Sequence, residues 1–344
     1  WAWGNYKYQS KSKKNLLYVK EQKELEFLTF YSDCINLSRD LINSPANKLN
    51  PSTYYSKIKN NNLFKSFNFI DYTEKEINSN FPLTCAVGKS SSSKPKVIEI
   101  TNRKLSKKDK PLVIIGKGVT FDTGGVNIKP GTSMRNMKKD MGGSAIAISL
   151  FLLANYFLKK TKIVLIAPIA ENAISSKSMR PGDVYSSVSG KSVEIAHTDA
   201  EGRLLLADAI EKASSYNPCM IIDFATLTGA ARVALGEDLP AYFCNNETFA
   251  KKIENLNKEK LRCWRLPLYS PYLFKIKSQV ADLSNASLDG MAGSITAALF
   301  LQEFLKSPNI PWFHFDTFAW SQDSKGAALQ GLDIMSDFLR KNFN

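Results

Sequence analysis

From Pro111 to Asp316 the chain alternates short, nearly continuous apolar runs with longer apolar runs of helical spacing, and this alternation limits the possible folds more than any other feature. The short runs are PLVIIG (111–116), KIVLIAPIA (162–170), CMIIDFATL (219–227) and WFHFD (312–316). Between them lie GGSAIAISLFLLANYFL (142–158), RLLLADAIEKA (203–213) and GSITAALFLQEFL (293–305), which read as helices. Strands this apolar are covered on both faces, and strands separated by helices run parallel. The pattern therefore predicts an α/β fold, a mostly parallel central sheet flanked by helices on both faces. Upstream, residues 23–43 (KELEFLTFYSDCINLSRDLIN) predict an amphipathic helix, ended by the loop NSPANKLNPS with Pro45 and Pro51.

A chain of 344 residues with 44% hydrophobic content can build a large core. Its five cysteines are widely spaced, with no C-x-x-C pair, so neither a disulfide framework nor a thiolate zinc site is indicated and a reducing cytoplasm fits. The apolar run Ser144–Leu158 ends in Lys159-Lys160 and falls short of the roughly 20 residues of a membrane span. It predicts a buried helix and no membrane partner. Of the net charge of +14, most lies early: residues 1–110 hold 20 Lys and Arg against 10 Asp and Glu, and the remainder 26 against 22. Such diffuse charge is a solvated surface more often than a nucleic-acid footprint, so nucleic acid is not the expected partner. Gly88-Lys89-Ser90 imitates a phosphate-binding loop, but Leu83 occupies the position of its first glycine. The chain begins Trp-Ala-Trp-Gly without an initiator Met or signal-peptide pattern, and we expect that something precedes it.

In open parallel sheets, sites form beyond the carboxyl ends of the strands. After PLVIIG comes GKGVTFDTGGVNIKP with Lys117, Asp122 and Lys129, then MKKDMGG with Asp140. The stretch HTDAEGRLLLADAI (197–210) places Asp199, Glu201 and Arg203 where a core helix begins. A helix start explains Thr198 or Asp199 as a cap, and acids near the positive end of the macrodipole, but it does not explain Arg203. With only two histidines, His197 and His314, a zinc hydrolase built on imidazoles is excluded. Four carboxylates in three loops instead point to a site for two divalent cations, zinc, manganese or magnesium, whose charge would balance theirs. Lys117 could then ligate as a neutral amine, leaving Lys129 and Arg203 cationic and available to the reacting groups.

The segments GKGVTFDTGG, KPG…MKKDMGG, RPGDV…SGKSVEI, TDAEGRL and DFATLTGA strongly resemble the leucyl (cytosol) aminopeptidase family of dinuclear metallopeptidases. The resemblance runs in order from about Trp3 to the C-terminus, and GAARVALGEDLPAYF with HFDTFAW is most similar to a bacterial subgroup. It implies that Asp122 and Glu201 bridge the two metals, that Lys117 and Asp140 complete the tighter site, and that Asp199 completes the exchangeable one. It further implies that Lys129 polarises the scissile carbonyl, that Arg203 holds a bicarbonate acting as general base, and that Met137, Thr226 and Gly229 line the pocket for the first side chain. His197 departs from the family, which usually has Asn there. The expected protein is a cytoplasmic leucyl aminopeptidase of peptide catabolism. It would use manganese or zinc and a two-metal-bridged hydroxide to remove apolar, Leu-like N-terminal residues from peptides. A nucleic-acid-binding or scaffold role is the alternative. Residues 1–50 are expected to be a linker and leading helix from a mostly absent N-terminal domain, and residues 51–344 the catalytic domain. A homohexamer is expected when the N-terminal domain is present.

Overall fold

The computed structural model describes Tyr6, Tyr8, residues 19–321 and residues 326–343. Trp3, where the resemblance begins, and the opening Trp-Ala-Trp-Gly lie outside the described residues. In chain order the described strands are β1 (Asn68–Ile70), β2 (Lys96–Thr101), β3 (Leu112–Gly116), β4 (Gly118–Asp122), β5 (Ile163–Asn172), β6 (Val184–Ser186), β7 (Ser192–Glu194), β8 (Met220–Ala225), β9 (Ala241–Cys244), β10 (Trp264–Arg265), β11 (Leu283–Ser284), β12 (Trp312–Asp316), β13 (Trp320–Ser321) and β14 (Gly326–Ala327). Nine of them form one sheet in the order β1-β2-β5-β3-β8-β12-β9-β10, with β4 also paired to β5.

Its centre is parallel, as the apolar runs require: β5, β3, β8 and β12 are neighbours, in register through Val113 opposite Val164 and Ile221, and Ile221 opposite Trp312. Antiparallel strands flank it, β1 and β2 on one side and β9 on the other. Alternate residues of each strand enter two cores. Leu112 and Ile114 face the helices Gln22–Asn43, Gly142–Phe157 and Leu332–Asn342, while Val113 and Ile115 face Pro82–Gly88, Gly202–Ser215 and Gly293–Gln302. The leading helix is tied to the core, with Ser38 Oγ donating to the Ala145 carbonyl at 2.6 Å.

Two local expectations change. Pro51 does not lie in a loop but opens the helix Pro51–Lys59, where Asn50 caps the N–H of Thr53 at 2.9 Å. Proline is well suited to a first helical turn, because the N–H it lacks would have no partner there. GKGVTFDTGG, expected as a loop, contains β4, because β5 runs on past the end of β3 and leaves an edge that Gly118 and Val119 continue opposite Ile169 and Ala170. Asp122 thereby ends a strand, opposite Asn172. Among the described residues, Met137–Phe157 is long and apolar enough to cross a membrane, because the 3-10 turn Met137–Met141 lengthens the helix, but 83% of its most apolar window is buried in the fold.

Candidate active site

The parallel strands end along one edge, and the charged loops converge there. Lys117 follows β3 and is held by its N–H to the Phe224 carbonyl of β8 at 3.0 Å. Asp122 ends β4, Asp140 lies in the 3-10 turn Met137–Met141, and Asp199 and Glu201 lead into the helix Gly202–Ser215. They open on a cleft of about 540 Å³, and every site residue singled out from the sequence, from Lys117 to Gly229, lines it.

Lys117 is 2% exposed, with its Nζ 2.9 Å from Asp140, 3.0 Å from Glu201 and 2.8 Å from the Thr226 carbonyl. Glycine at position 202 leaves room for this ammonium, since a Cβ there would lie 2.3 Å from Lys117 Cε and displace the lysine from its carboxylates. Lys129 Nζ is 2.8 Å from Asp122 and also pairs with Asp199. The second oxygen of Asp122 accepts from Gly124 N–H at 2.9 Å and Asn172 Nδ2 at 2.8 Å. Thr226 Oγ1 donates to Asp140 Oδ1 at 2.8 Å.

The loop 196–200 is rigidly held. Thr198 Oγ1 donates to the Gly124 carbonyl at 2.6 Å and accepts from Asn127 N–H, while buried Asn285 accepts from the N–H groups of Ala196 and His197. The capping role expected of Thr198 or Asp199 is therefore not used: Glu201 precedes the helix, without a side-chain cap. Its carboxylate is committed to the cleft instead. His197 is exposed, and its Nδ1 accepts from Asp199 N–H at 3.2 Å. Desolvation, then Lys129 and Arg203, push its pKa down, which keeps the ring a neutral acceptor.

The electrostatics demand further cations. Burial first, and then Asp122, push Glu201 up to about 8 and Asp199 up to about 6. Burial alone would lower Lys117, but Asp140, Glu201 and Asp122 outweigh it and hold the ammonium charged; Lys129 is raised in the same way. Asp122, Asp199 and Glu201 each present an oxygen within 4.8 Å of the others, a span that oxygens bonded to one cation at about 2.0–2.4 Å can close. Glu201 Oε2 is buried and has no hydrogen-bond partner among the described residues, although buried carboxylate oxygens are almost always satisfied. The donor set thus fits divalent cations. Arg203 is 7% exposed, its Nε and Nη1 lack hydrogen-bond partners among the described residues, and burial pushes it down to about 10.

Sequence reasoning missed several residues of the site. Asn172 ends β5, which ran two residues beyond the predicted strand, so its place opposite Asp122 could have been read from strand length. Asn127 and Asn285 had no such signal, since their partners are far away in sequence. Lys139, Arg232 and Phe318 also line the cleft. Lys139 passed as one of two lysines in MKKDMGG.

The profile of the cytosol aminopeptidase family's catalytic domain matches residues 36–335. The chain is 38% identical over 298 residues to a probable cytosol aminopeptidase of Syntrophotalea carbinolica, covering 86% of this chain and 59% of that protein. It is 41% identical over 288 residues to one of Chlamydia caviae, covering 82% and 57%. The chain thus spans under two thirds of the length of these curated relatives. Among solved structures, cytosol aminopeptidase from Coxiella burnetii superposes with a TM-score of 0.89 at 39% identity, covering all of this chain and 76% of that one. The bottromycin maturation enzyme BotP, solved in complex with Mn, gives 0.88 at 29% identity, covering all of this chain and 78% of that one.

Proposed function

The chain belongs to the cytosol aminopeptidase family, of which it carries the catalytic domain, and from that premise we propose that its cleft is a metal-dependent aminopeptidase site that removes N-terminal residues from peptides. The acid cluster carries this reading: Asp122, Asp199 and Glu201 converge within 4.8 Å, and Glu201 keeps a buried oxygen without a hydrogen-bond partner among the described residues.

Asp122 and Glu201 would bridge two cations, manganese or zinc, with Lys117 and Asp140 completing one site and Asp199 the other. Two divalent cations bound there supply the Lewis acidity that makes water nucleophilic at neutral pH. Lys117 now supplies positive charge itself; added cations would favour its neutral, ligating form. Lys129, 2.8 Å from Asp122 and only 14% exposed at its side chain, would donate to the oxyanion that develops on the scissile carbonyl. Arg203 presents two buried nitrogens, Nε and Nη1, that have no hydrogen-bond partner among the described residues, a suitable donor pair for a planar anion such as bicarbonate, which would accept and return the proton. Met137, Thr226 and Gly229 would receive the first side chain, and the Met137 wall favours apolar residues such as Leu or Met.

In the cell this reading makes the protein a cytoplasmic enzyme of peptide catabolism. Residues 1–50 would link to an N-terminal domain while their helix Gln22–Asn43 packs into the catalytic unit, which residues 51–344 complete, and the whole protein would be a homohexamer. The acid-lined cleft lends no support to a nucleic-acid or scaffold role.

The test is hydrolysis of Leu-p-nitroanilide by chelated protein, with zinc, manganese, cobalt and magnesium returned one at a time. Chelation should abolish turnover and manganese or zinc should restore it. Equal rates before and after chelation would overturn the reading.

A further inference from the structure

Among the described residues, Lys139 is the one buried cation lining this cleft that the proposed reaction does not use. It sits beside Asp140, is 4% exposed and lines the cleft two residues after Met137 in the same 3-10 turn. Among the described residues its ammonium forms neither a hydrogen bond nor an ion pair. Its Nζ lies over the ring of Phe318, 4.4 Å from the centroid, and the guanidinium of Arg232 lies 4.6 Å from the same centroid. Arg232 is exposed, also lines the cleft, and likewise has neither an ion pair nor a hydrogen bond from its side chain among the described residues.

The Lys139 side chain is buried except where it reaches the cleft, and an ammonium there without a carboxylate partner is only partly compensated by one aromatic face. Lys117 and Lys129 differ from it, because each is engaged by carboxylates. Among the described residues, the cleft lining holds four carboxylates against five cations, Lys117, Lys129, Lys139, Arg203 and Arg232. Two divalent cations would neutralise the carboxylates and leave the Lys139 side of the cleft strongly positive. A peptide's anionic groups are carboxylates.

We propose that Lys139, with Arg232 at the rim, forms a carboxylate-binding subsite, so that the substrates include peptides carrying a carboxylate at this end of the cleft. The proposal deepens the aminopeptidase reading and rests on it. Because Lys139 shares its turn with Met137 and its cleft with Thr226 and Gly229, the nearest source is the side chain of an N-terminal glutamate, whose methylenes would lie along Met137 and Phe318. The other source is the C-terminal carboxylate of a short peptide.

The experiment compares wild type, Lys139→Met and Arg232→Gln, each loaded with metal and matched by melting temperature. It measures kcat/KM for Glu-p-nitroanilide and Leu-p-nitroanilide, and for Leu-Gly and Leu-glycinamide. Calorimetric binding of L-glutamate and L-leucine is measured alongside. Lys139→Met should lower the Glu/Leu ratio about tenfold to a hundredfold, the range for one hydrogen bond to a charged group, and should weaken L-glutamate binding similarly. Arg232→Gln should act in the same direction but less. A fall confined to Leu-Gly relative to Leu-glycinamide would support the subsite with the C-terminal carboxylate as its ligand. Ratios and L-glutamate binding that stay within about twofold of wild type in both variants would overturn the subsite while Leu-p-nitroanilide turnover still upheld the aminopeptidase reading, since one lost charge-assisted bond exceeds that margin. If no substrate turns over with any metal, the aminopeptidase reading fails. Calorimetry then decides the subsite alone, and L-glutamate binding unchanged by Lys139→Met overturns it.

Discussion

Two buried charge clusters lie on the same sheet, and only one of them looks like a working site. In the core, Asp223 of β8 and His314 of β12 stand in register, both fully buried. Asp223 holds His314 Nδ1 at 2.5 Å with one oxygen and accepts from Trp312 Nε1 at 2.6 Å with the other, and the rings of Phe243 and Trp312 stack on the imidazole. In the cleft, Glu201 is as deeply buried, yet one of its oxygens has no partner among the described residues, and neither do two nitrogens of Arg203. His314 Nε2 is also unpartnered there, but it belongs to a ring packed among aromatics. Burial and opposite charge are thus common to both. What separates them is that the cleft's orphaned atoms are several, are acid and base, and border open volume.

The strongest way to break this contrast is to remove a cleft carboxylate. Asp122→Ala or Glu201→Ala should abolish metal-dependent hydrolysis and reduce the metal bound after purification, because each would remove one of the converging carboxylates proposed to hold the metal. Two bound metals with near-normal turnover would put the cleft in the same class as the core pair.

The core pair should answer the reverse question. Asp223→Ala leaves His314 and the Trp312 N–H buried without their acceptor, and breaking such a pair costs about 3–5 kcal/mol. Denaturant unfolding reads this directly. A loss of turnover per folded molecule, with unchanged stability, would show that this cluster is catalytic after all.

Within the cleft, the two cations should separate. Lys129→Ala should lower turnover about a hundredfold to a thousandfold, the usual effect of losing one oxyanion donor, and keep any bicarbonate response of the wild type. Arg203→Ala should lower activity and abolish that response at fixed pH and saturating metal. If Arg203→Ala responds like wild type, the arginine serves only the helix start.

The smallest effect is a pH dependence. Burial would lower the His314 pKa, but Asp223 outweighs it and the folded value is raised. A raised base stabilises the fold fully below its unfolded pKa of about 6.5, and that contribution is lost as pH rises through the folded value. The stability difference between wild type and His314→Gln should therefore shrink as pH rises above neutrality. A difference that is flat with pH, followed by thermal melting, would mean that the imidazole stays neutral.

The parallel sheet, its covering helices and the acid-rich loops at one edge were all legible in the sequence, because apolar periodicity and strand-to-loop order are local properties. The strand β4 was not, since Gly118–Asp122 becomes a strand only because β5 extends beyond β3 to receive it. Nor were Asn285 and Phe318, whose partners Ala196, Lys139 and Arg232 lie far away in sequence. The two buried lysines show the physical reason most directly. Lys117 and Lys139 are the same side chain, both buried beside the same carboxylate loop, and desolvation lowers the pKa of each. Composition and spacing determined that cations and acids would meet at this edge. The tertiary structure decided that Asp140, Glu201 and Asp122 surround Lys117 and hold it charged, while Lys139 meets only Asp140 among other cations and is pushed down to about 8, because a charge takes its behaviour from its neighbours within a few ångströms.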